Sequence, residues 1–158
     1  DPGAEFTRLA HAHSIRVIPL VGPSSLLLAL MASGLDGQRF YFHGYLPVDD
    51  DALLRKLTQM EADSGVQQCT QIFIETPYRN ERMLKRLVSE LSPGTMLCIA
   101  SDLTLPGETI TTKRVEDWRK HASRLQDGHP TVFLFLASKP RRATEPSSRQ
   151  GRRISTNH

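Results

Sequence analysis

Two rhythms of apolar and polar residues run along this chain. Ile72-Phe73-Ile74, Met96 to Ala100 and Val132 to Ala137 are short, nearly continuous apolar runs bounded by turn or polar residues, which predicts strands buried on both faces. Between such runs the apolar positions recur every three or four residues. Leu53, Leu54, Leu57 and Met60 make one stripe, and Met83, Leu84, Leu87, Val88 and Leu91 another, each predicting a helix with one buried face. Taken in order, the pattern predicts a helix over 4–13, a strand over 15–20 and a helix over 23–33 stopped by Gly34. This third element is apolar all round and is expected to be buried. A strand over 39–47 follows, then a helix over 49–63 with three acids at its N-terminal end, where the helix dipole favours them. Next come a strand over 69–75, a helix over 76–91 with Thr76 as N-cap and Pro77 in its first turn, and a strand over 95–100. A short polar strand over 108–114 suits a sheet edge, and a helix over 115–125 and a last strand over 131–137 complete the series.

Alternating buried strands and helices predict an α/β protein with a sheet covered on both faces. In such folds ligands sit beyond the carboxyl ends of the strands. Three polar loops occupy such ends: Val21 to Ser25, Glu75 to Arg79, and Ser101 to Glu108. Read singly, each is also ordinary turn and cap chemistry.

Composition narrows the class. The chain has 158 residues, 39% hydrophobic and 23% charged, as expected of a globular domain. No apolar run approaches the roughly 20 residues of a membrane span. Cys69 and Cys98 lie in apolar strand runs and are expected to be buried thiols of a reducing compartment, hence a cytoplasmic protein. The formal charge of +3 is uneven: residues 138–158 hold six Lys or Arg against one Glu, net +5, and leave the body at −2. This Ser-, Pro- and Arg-rich tail is expected to be disordered, either as a solvated extension or as an RNA-attracting arm. Several chemistries find no motif. HExxH, paired CxxC, GxSxG, GxGxxG and the phosphate-binding GxxxxGK[ST] are all absent, and no metal site is expected. The turn around Gly22, with Ser24 and Ser25 at a helix start, offers backbone N–H groups to a ligand carboxylate.

Together the loops are more specific. The chain contains Asp1-Pro2-Gly3, Pro19-Leu20-Val21-Gly22-Pro23, Ser33-Gly34-Leu35, the run Phe40 to Pro47, Glu75-Thr76-Pro77-Tyr78-Arg79, and Asp102-Leu103-Thr104 with Glu108. In this order and spacing they resemble the tetrapyrrole-methylase superfamily of S-adenosylmethionine-dependent methyltransferases. The likeness extends over residues 1 to about 137. It is greatest to the branch that methylates a ribose 2′-hydroxyl of bacterial small-subunit ribosomal RNA. Departures from that branch are Thr76 for Ser, Tyr78 for His, Asp102 for Glu and Leu105 for Lys.

The resemblance implies two α/β domains, the second with a mixed sheet, and S-adenosyl-L-methionine in the cleft between them, usually in a homodimer, with ribosomal RNA as partner and neither membrane nor metal. Residues 1–35 would be the tail end of the first domain and a connecting helix, 36–137 the second domain, and 138–158 the basic tail. A chain lacking most of the first domain is expected to transfer no methyl group alone. By position, Ser24, Ser25, Ile74, Glu75, Asp102, Leu103, Pro130 and Thr131 would bind the cofactor. Glu75 is the first candidate for the base that deprotonates the acceptor and Asp102 the second. Arg79 would hold Glu75 or grip a phosphate, unless the Glu75–Arg79 pair is only a structural tie. Two other readings stand beside this one: a tetrapyrrole C-methyltransferase, and a non-catalytic dimerisation or interaction module.

Overall fold

The computed structural model describes residues 2–120 and 128–139. Its helices are α1 (Pro2–Ala12), α2 (Ser25–Ser33), α3 (Asp50–Gln67), α4 (Asn80–Glu90) and α5 (Val115–Lys120). Its strands are β1 (Phe40–Tyr45), β2 (Thr70–Glu75), β3 (Met96–Ser101), β4 (Thr109–Arg114) and β5 (Thr131–Leu136), and a single 3-10 turn, Pro77–Arg79, leads into α4. The basic tail beyond Lys139 and the end of the fifth predicted helix, 121–125, lie outside the described residues.

The five strands form one mixed sheet in the order β1-β2-β5-β3-β4. β1 runs parallel to β2, whereas β5 runs antiparallel to both β2 and β3, and β4 is antiparallel to β3. The carboxyl ends of β1, β2 and β3 therefore share one rim with the start of β5.

Alternation along the central strands divides the core into two layers. Phe73, Leu97, Ile99, Phe133 and Phe135 face α3, α4 and α5, where they meet Leu57, Met60, Leu87, Val115 and Trp118. Ile72, Cys98, Ala100, Val132 and Leu134 face α2 and meet Ala29 and Leu30. The first layer is built on stacked aromatics: Phe73 lies 5.3 Å from Phe133, ring centre to ring centre, and 6.5 Å edge-on from Phe135. Trp118 is buried with them and satisfies its indole N–H on the Leu97 carbonyl at 3.0 Å.

Local signals set the helix ends. Asp49 caps α3 by accepting from the Ala52 N–H at 2.9 Å. Gly34 ends α2 at φ 70, a conformation costly for any residue with a Cβ. Arg82 and Arg86 both reach Asp50 at 2.8 Å, tying α4 to the start of α3. Their hydrogen bonds hold the Asp50 carboxyl below its ordinary pKa.

Four expectations need correction. Residues 15–20 form no strand; they are exposed, and a strand without a neighbour leaves its backbone unpaired. Helix α2 buries only Ala29, Leu30 and Ser33, while Leu27 (51%) and Met31 (76%) remain exposed. Leu54 is also exposed, because α3 buries a narrower stripe and runs on to Gln67. Of the thiols, Cys98 is buried, but Cys69 sits before β2 and only partly covered. Burial raises the pKa of both, most simply through loss of solvation of the thiolate.

Phe73→Ala removes the ring that contacts both other core phenylalanines. It is expected to destabilise the fold by about 3–5 kcal/mol in urea denaturation. A loss under about 1 kcal/mol would mean that the aromatic layer is not the centre of the core.

Candidate functional site

A cleft of about 440 Å3 opens at the rim where β2 and β3 end and β5 begins. Its walls are Ser25, Tyr45, Ile74, Glu75, Pro77, Asp102, Leu103, Leu105, Pro130, Thr131 and Val132. Seven of these, Ser25, Ile74, Glu75, Asp102, Leu103, Pro130 and Thr131, are among the eight positions that the motifs nominate for cofactor binding. Ser24 does not line the cleft: it caps α2 through its backbone, its carbonyl accepting from the Leu28 N–H at 2.9 Å. Arg79 does not line it either. The arginine lies in a narrow hollow behind Glu75, beside Pro47, Leu53 and Met83.

The sheet register explains the convergence. Thr131, the first residue of β5, pairs with Glu75 of β2 on one side and with Ser101 of β3 on the other. Its hydroxyl is fully used. It donates to the His129 carbonyl at 3.0 Å and accepts from Asn80 Nδ2 at 3.1 Å, and it lies 2.9 Å from Ser101 Oγ. Asn80 Nδ2 also donates to the His129 carbonyl at 2.7 Å. This buried network joins the starts of β5 and α4 to the end of β3 and forms the floor of the cleft.

Glu75 is 7% exposed, and its Oε1 is committed locally. It accepts from the Thr76 N–H at 2.7 Å and the Thr76 hydroxyl at 3.1 Å, and it lies 3.4 Å from Arg79 Nε. Arg79 Nε donates to Thr76 Oγ1 at 2.8 Å, and its guanidinium lies 5.5 Å from the centre of the Tyr78 ring. Thr76 therefore does not cap the helix with its hydroxyl, as its position suggested; that oxygen links Glu75 to Arg79.

Asp102 occupies the opposite wall in the left-handed conformation, φ 52, which Asp tolerates better than most residues. Its N–H donates to the Pro130 carbonyl at 3.0 Å, and its own carbonyl accepts from the Leu105 N–H at 2.8 Å. Its Oδ2 lies 2.5 Å from His129 Nδ1. The motifs do not mark His129. The one available signal is its place in Gly128-His129-Pro130, a turn feeding the last strand into the rim. Glu108 closes the same loop by accepting from the Thr104 N–H at 2.8 Å.

The residues suit a nucleoside-bearing ligand. The volume lies within the range of about 300–1,000 Å3 typical of small-molecule sites, and apolar walls (Ile74, Leu103, Leu105, Val132) alternate with a few oriented polar groups. Among the described residues no cluster of three or more His, Cys, Asp or Glu is placed to hold a metal, and no helix is long and apolar enough to cross a membrane. A larger hollow of about 540 Å3 lies at the opposite end of the sheet. Its one carboxylate, Glu61, is occupied by Ser92 and Thr95.

Thr131→Val keeps the shape of the strand start and removes the shared hydroxyl. It is expected to cost about 1–3 kcal/mol, read by urea denaturation, because Ser101 and one Asn80 donor lose their partner. Thr131→Ser is expected to restore most of it. Equal stability of Val and Thr at this position would remove the network as the floor of the cleft.

No protein-family model matches the chain. It is 33% identical over 147 residues to ribosomal RNA small subunit methyltransferase I of Mesorhizobium japonicum, covering 93% of this chain and 49% of that protein. It is 36% identical over 153 residues to the protein of that name from Xylella fastidiosa strain 9a5c, covering 97% and 55%. The chain thus spans about half the length of the curated relatives it matches. Among solved structures, the methyltransferase CobJ matches with a TM-score of 0.51 at 20% identity, over 89% of this chain and 60% of that one. A putative diphthine synthase from Entamoeba histolytica matches with 0.53 at 12% identity, over 86% and 60%. These two likenesses bear on the fold, and they agree with the mixed α/β sheet described above. In sequence the chain is related to proteins named ribosomal RNA small subunit methyltransferase I, and in fold to the methyltransferase CobJ.

Proposed function

We propose that this chain is the part of an S-adenosylmethionine-dependent methyltransferase that carries one wall of the cofactor cleft, and that its acceptor is a ribose 2′-hydroxyl of small-subunit ribosomal RNA. The observation that carries the reading is the convergence of the nominated residues from three separate loops on one cleft. The names of the relatives support the choice of acceptor. The division of labour follows the sequence boundaries, with 1–35 belonging to a first domain and 36–137 forming the second. Residues 3–24, almost all exposed, fit a segment whose packing partner lies elsewhere. The site of action is the cytoplasm, with the ribosome.

Bound S-adenosylmethionine supplies an activated methyl group on a sulfonium with a good neutral leaving group. The protein therefore has to align the acceptor and take up its proton. Ile74, Leu103, Leu105 and Val132 provide the dry walls, and Ser25, Glu75 and Asp102 the polar contacts. The Glu75–Thr76–Arg79 cluster holds the end of β2 in place, and the exposed Tyr78 stands beside it at the edge of the cleft.

The working unit of this reading is a homodimer. Phe42 pairs with Ile72 and Tyr45 with Ile74, so these aromatics stand on the α2 face of the sheet. Helix α2 packs over β3, β4 and β5 and leaves them exposed. Sedimentation is expected to give a dimer that Phe42→Lys converts to monomer; a wild-type monomer at high concentration would exclude this arrangement.

Calorimetric titration with S-adenosylhomocysteine tests the cleft. The chain is expected to bind saturably, and Leu103→Trp, which fills the cleft, to abolish binding. Absence of binding by the wild type, or unchanged binding by Leu103→Trp, would overturn the assignment of this cleft.

A further inference from the structure

We propose that Asp102 and His129 form a carboxylate–imidazole dyad that presents His129 Nε2 as the proton acceptor of the cleft. The inference rests on the methyl-transfer reading above and adds a residue that the sequence motifs pass over. The two side chains come from different loops, 27 residues apart, yet Nδ1 and Oδ2 lie 2.5 Å apart.

Both partners are held by their backbones. The carbonyl of His129 receives two donors, Asn80 Nδ2 and Thr131 Oγ1. Pro130 restricts His129 to extended conformations. Gly128 before it sits at φ 98, a turn that a side chain would strain, and its N–H donates to the Pro77 carbonyl at 3.1 Å. Asp102 is fixed by its two backbone bonds in the loop after β3. The contact therefore follows from the rim itself, with little freedom left to either side chain.

The chemistry follows from the donor rules. An ionised carboxylate only accepts, so Nδ1 carries the hydrogen, and in the neutral ring Nε2 then holds the free lone pair. No described residue takes up Nε2, and the His129 side chain is 44% exposed, held between Asp102 and Pro130, both of which line the cleft. Glu75 is placed less well for the task, because its Oε1 already serves Thr76 and Arg79. The acceptor hydroxyl gives its proton to Nε2 as its oxygen bonds the methyl carbon. The carbon–sulfur bond breaks in the same step, and the electron pair stays on sulfur as a neutral thioether. Asp102 stabilises the imidazolium that results.

The test uses the full-length protein with S-adenosylmethionine and small ribosomal subunits lacking the modification. His129→Ala and Asp102→Asn are expected to lower kcat by about 100-fold or more, His129→Ala with affinity for S-adenosylhomocysteine retained. Added imidazole is expected to restore part of the His129→Ala rate. Nitrogen-15 NMR is expected to find the wild-type ring in its Nδ1–H tautomer and to lose that preference in Asp102→Asn. His129→Gln, a milder change to the turn, guards against a folding defect: it should bind S-adenosylhomocysteine normally and transfer as slowly as His129→Ala. Transfer by His129→Ala at the wild-type rate, or an Nε2–H tautomer in the wild type, overturns the dyad and leaves the methyltransferase reading standing. A slow His129→Ala that imidazole does not rescue, or that has lost cofactor binding, makes the residue structural and also overturns the dyad. Absence of transfer by the wild type overturns the reaction and the dyad together.

Discussion

Everything at the rim depends on β5 running against its two neighbours. A strand antiparallel to both β2 and β3 brings its first residue to the place where theirs end. Strand spacing then sets those two ends about 10 Å apart, with one residue between them. Thr131 is that residue, and its three hydrogen-bond partners come from the end of β3, the start of α4 and the turn at His129. Were β5 parallel to its neighbours, its amino end would lie at the other side of the sheet. The aromatic layer beneath, Phe73 against Phe133 and Phe135, holds this strand order through side chains that no polar substitution would replace.

The junction of β2 with α4 shows how a buried strand ends without leaving a carboxylate uncompensated. Glu75 stays nearly buried because the Thr76 N–H, the Thr76 hydroxyl and the Arg79 guanidinium surround one of its oxygens. Burying a charge without such partners is strongly unfavourable. Arg79 is in turn held by Thr76 and lies near the Tyr78 ring. The cluster thus fixes the wall of the cleft, whereas the less enclosed Asp102–His129 pair, drawn from two other loops, is the one proposed for proton transfer.

Much of this architecture was legible in the sequence where a pattern reflects burial. The runs at 72–74, 96–100 and 132–137 became the three central strands, and the polar segment ending at Arg114 became an edge, as its threonines and charges required. The loops after β2 and β3 were recognisable as one rim because α/β chain geometry places them together, whereas the turn before α2 follows no strand and reaches the cleft only through Ser25. Failures came where a neighbour decides the outcome. Residues 15–20 have the composition of a strand, but a strand is stabilised by what lies beside it. Leu27, Met31 and Leu54 have the chemistry of a core, yet their helices turn them outward. His129 was hidden for a different reason: its partner Asp102 is distant in sequence, and a lone histidine before a proline carries no periodic or motif signal.

The two edges of the sheet differ in kind. Along β4 the outer positions are threonine, lysine and arginine, residues that discourage the docking of another strand. Along β1 they are phenylalanine and tyrosine, largely uncovered. A sheet with one closed and one open margin has a built-in limit to growth. Two copies meeting at their open margins leave only closed ones outside, so assembly by this route stops at a symmetric pair and cannot propagate into a filament.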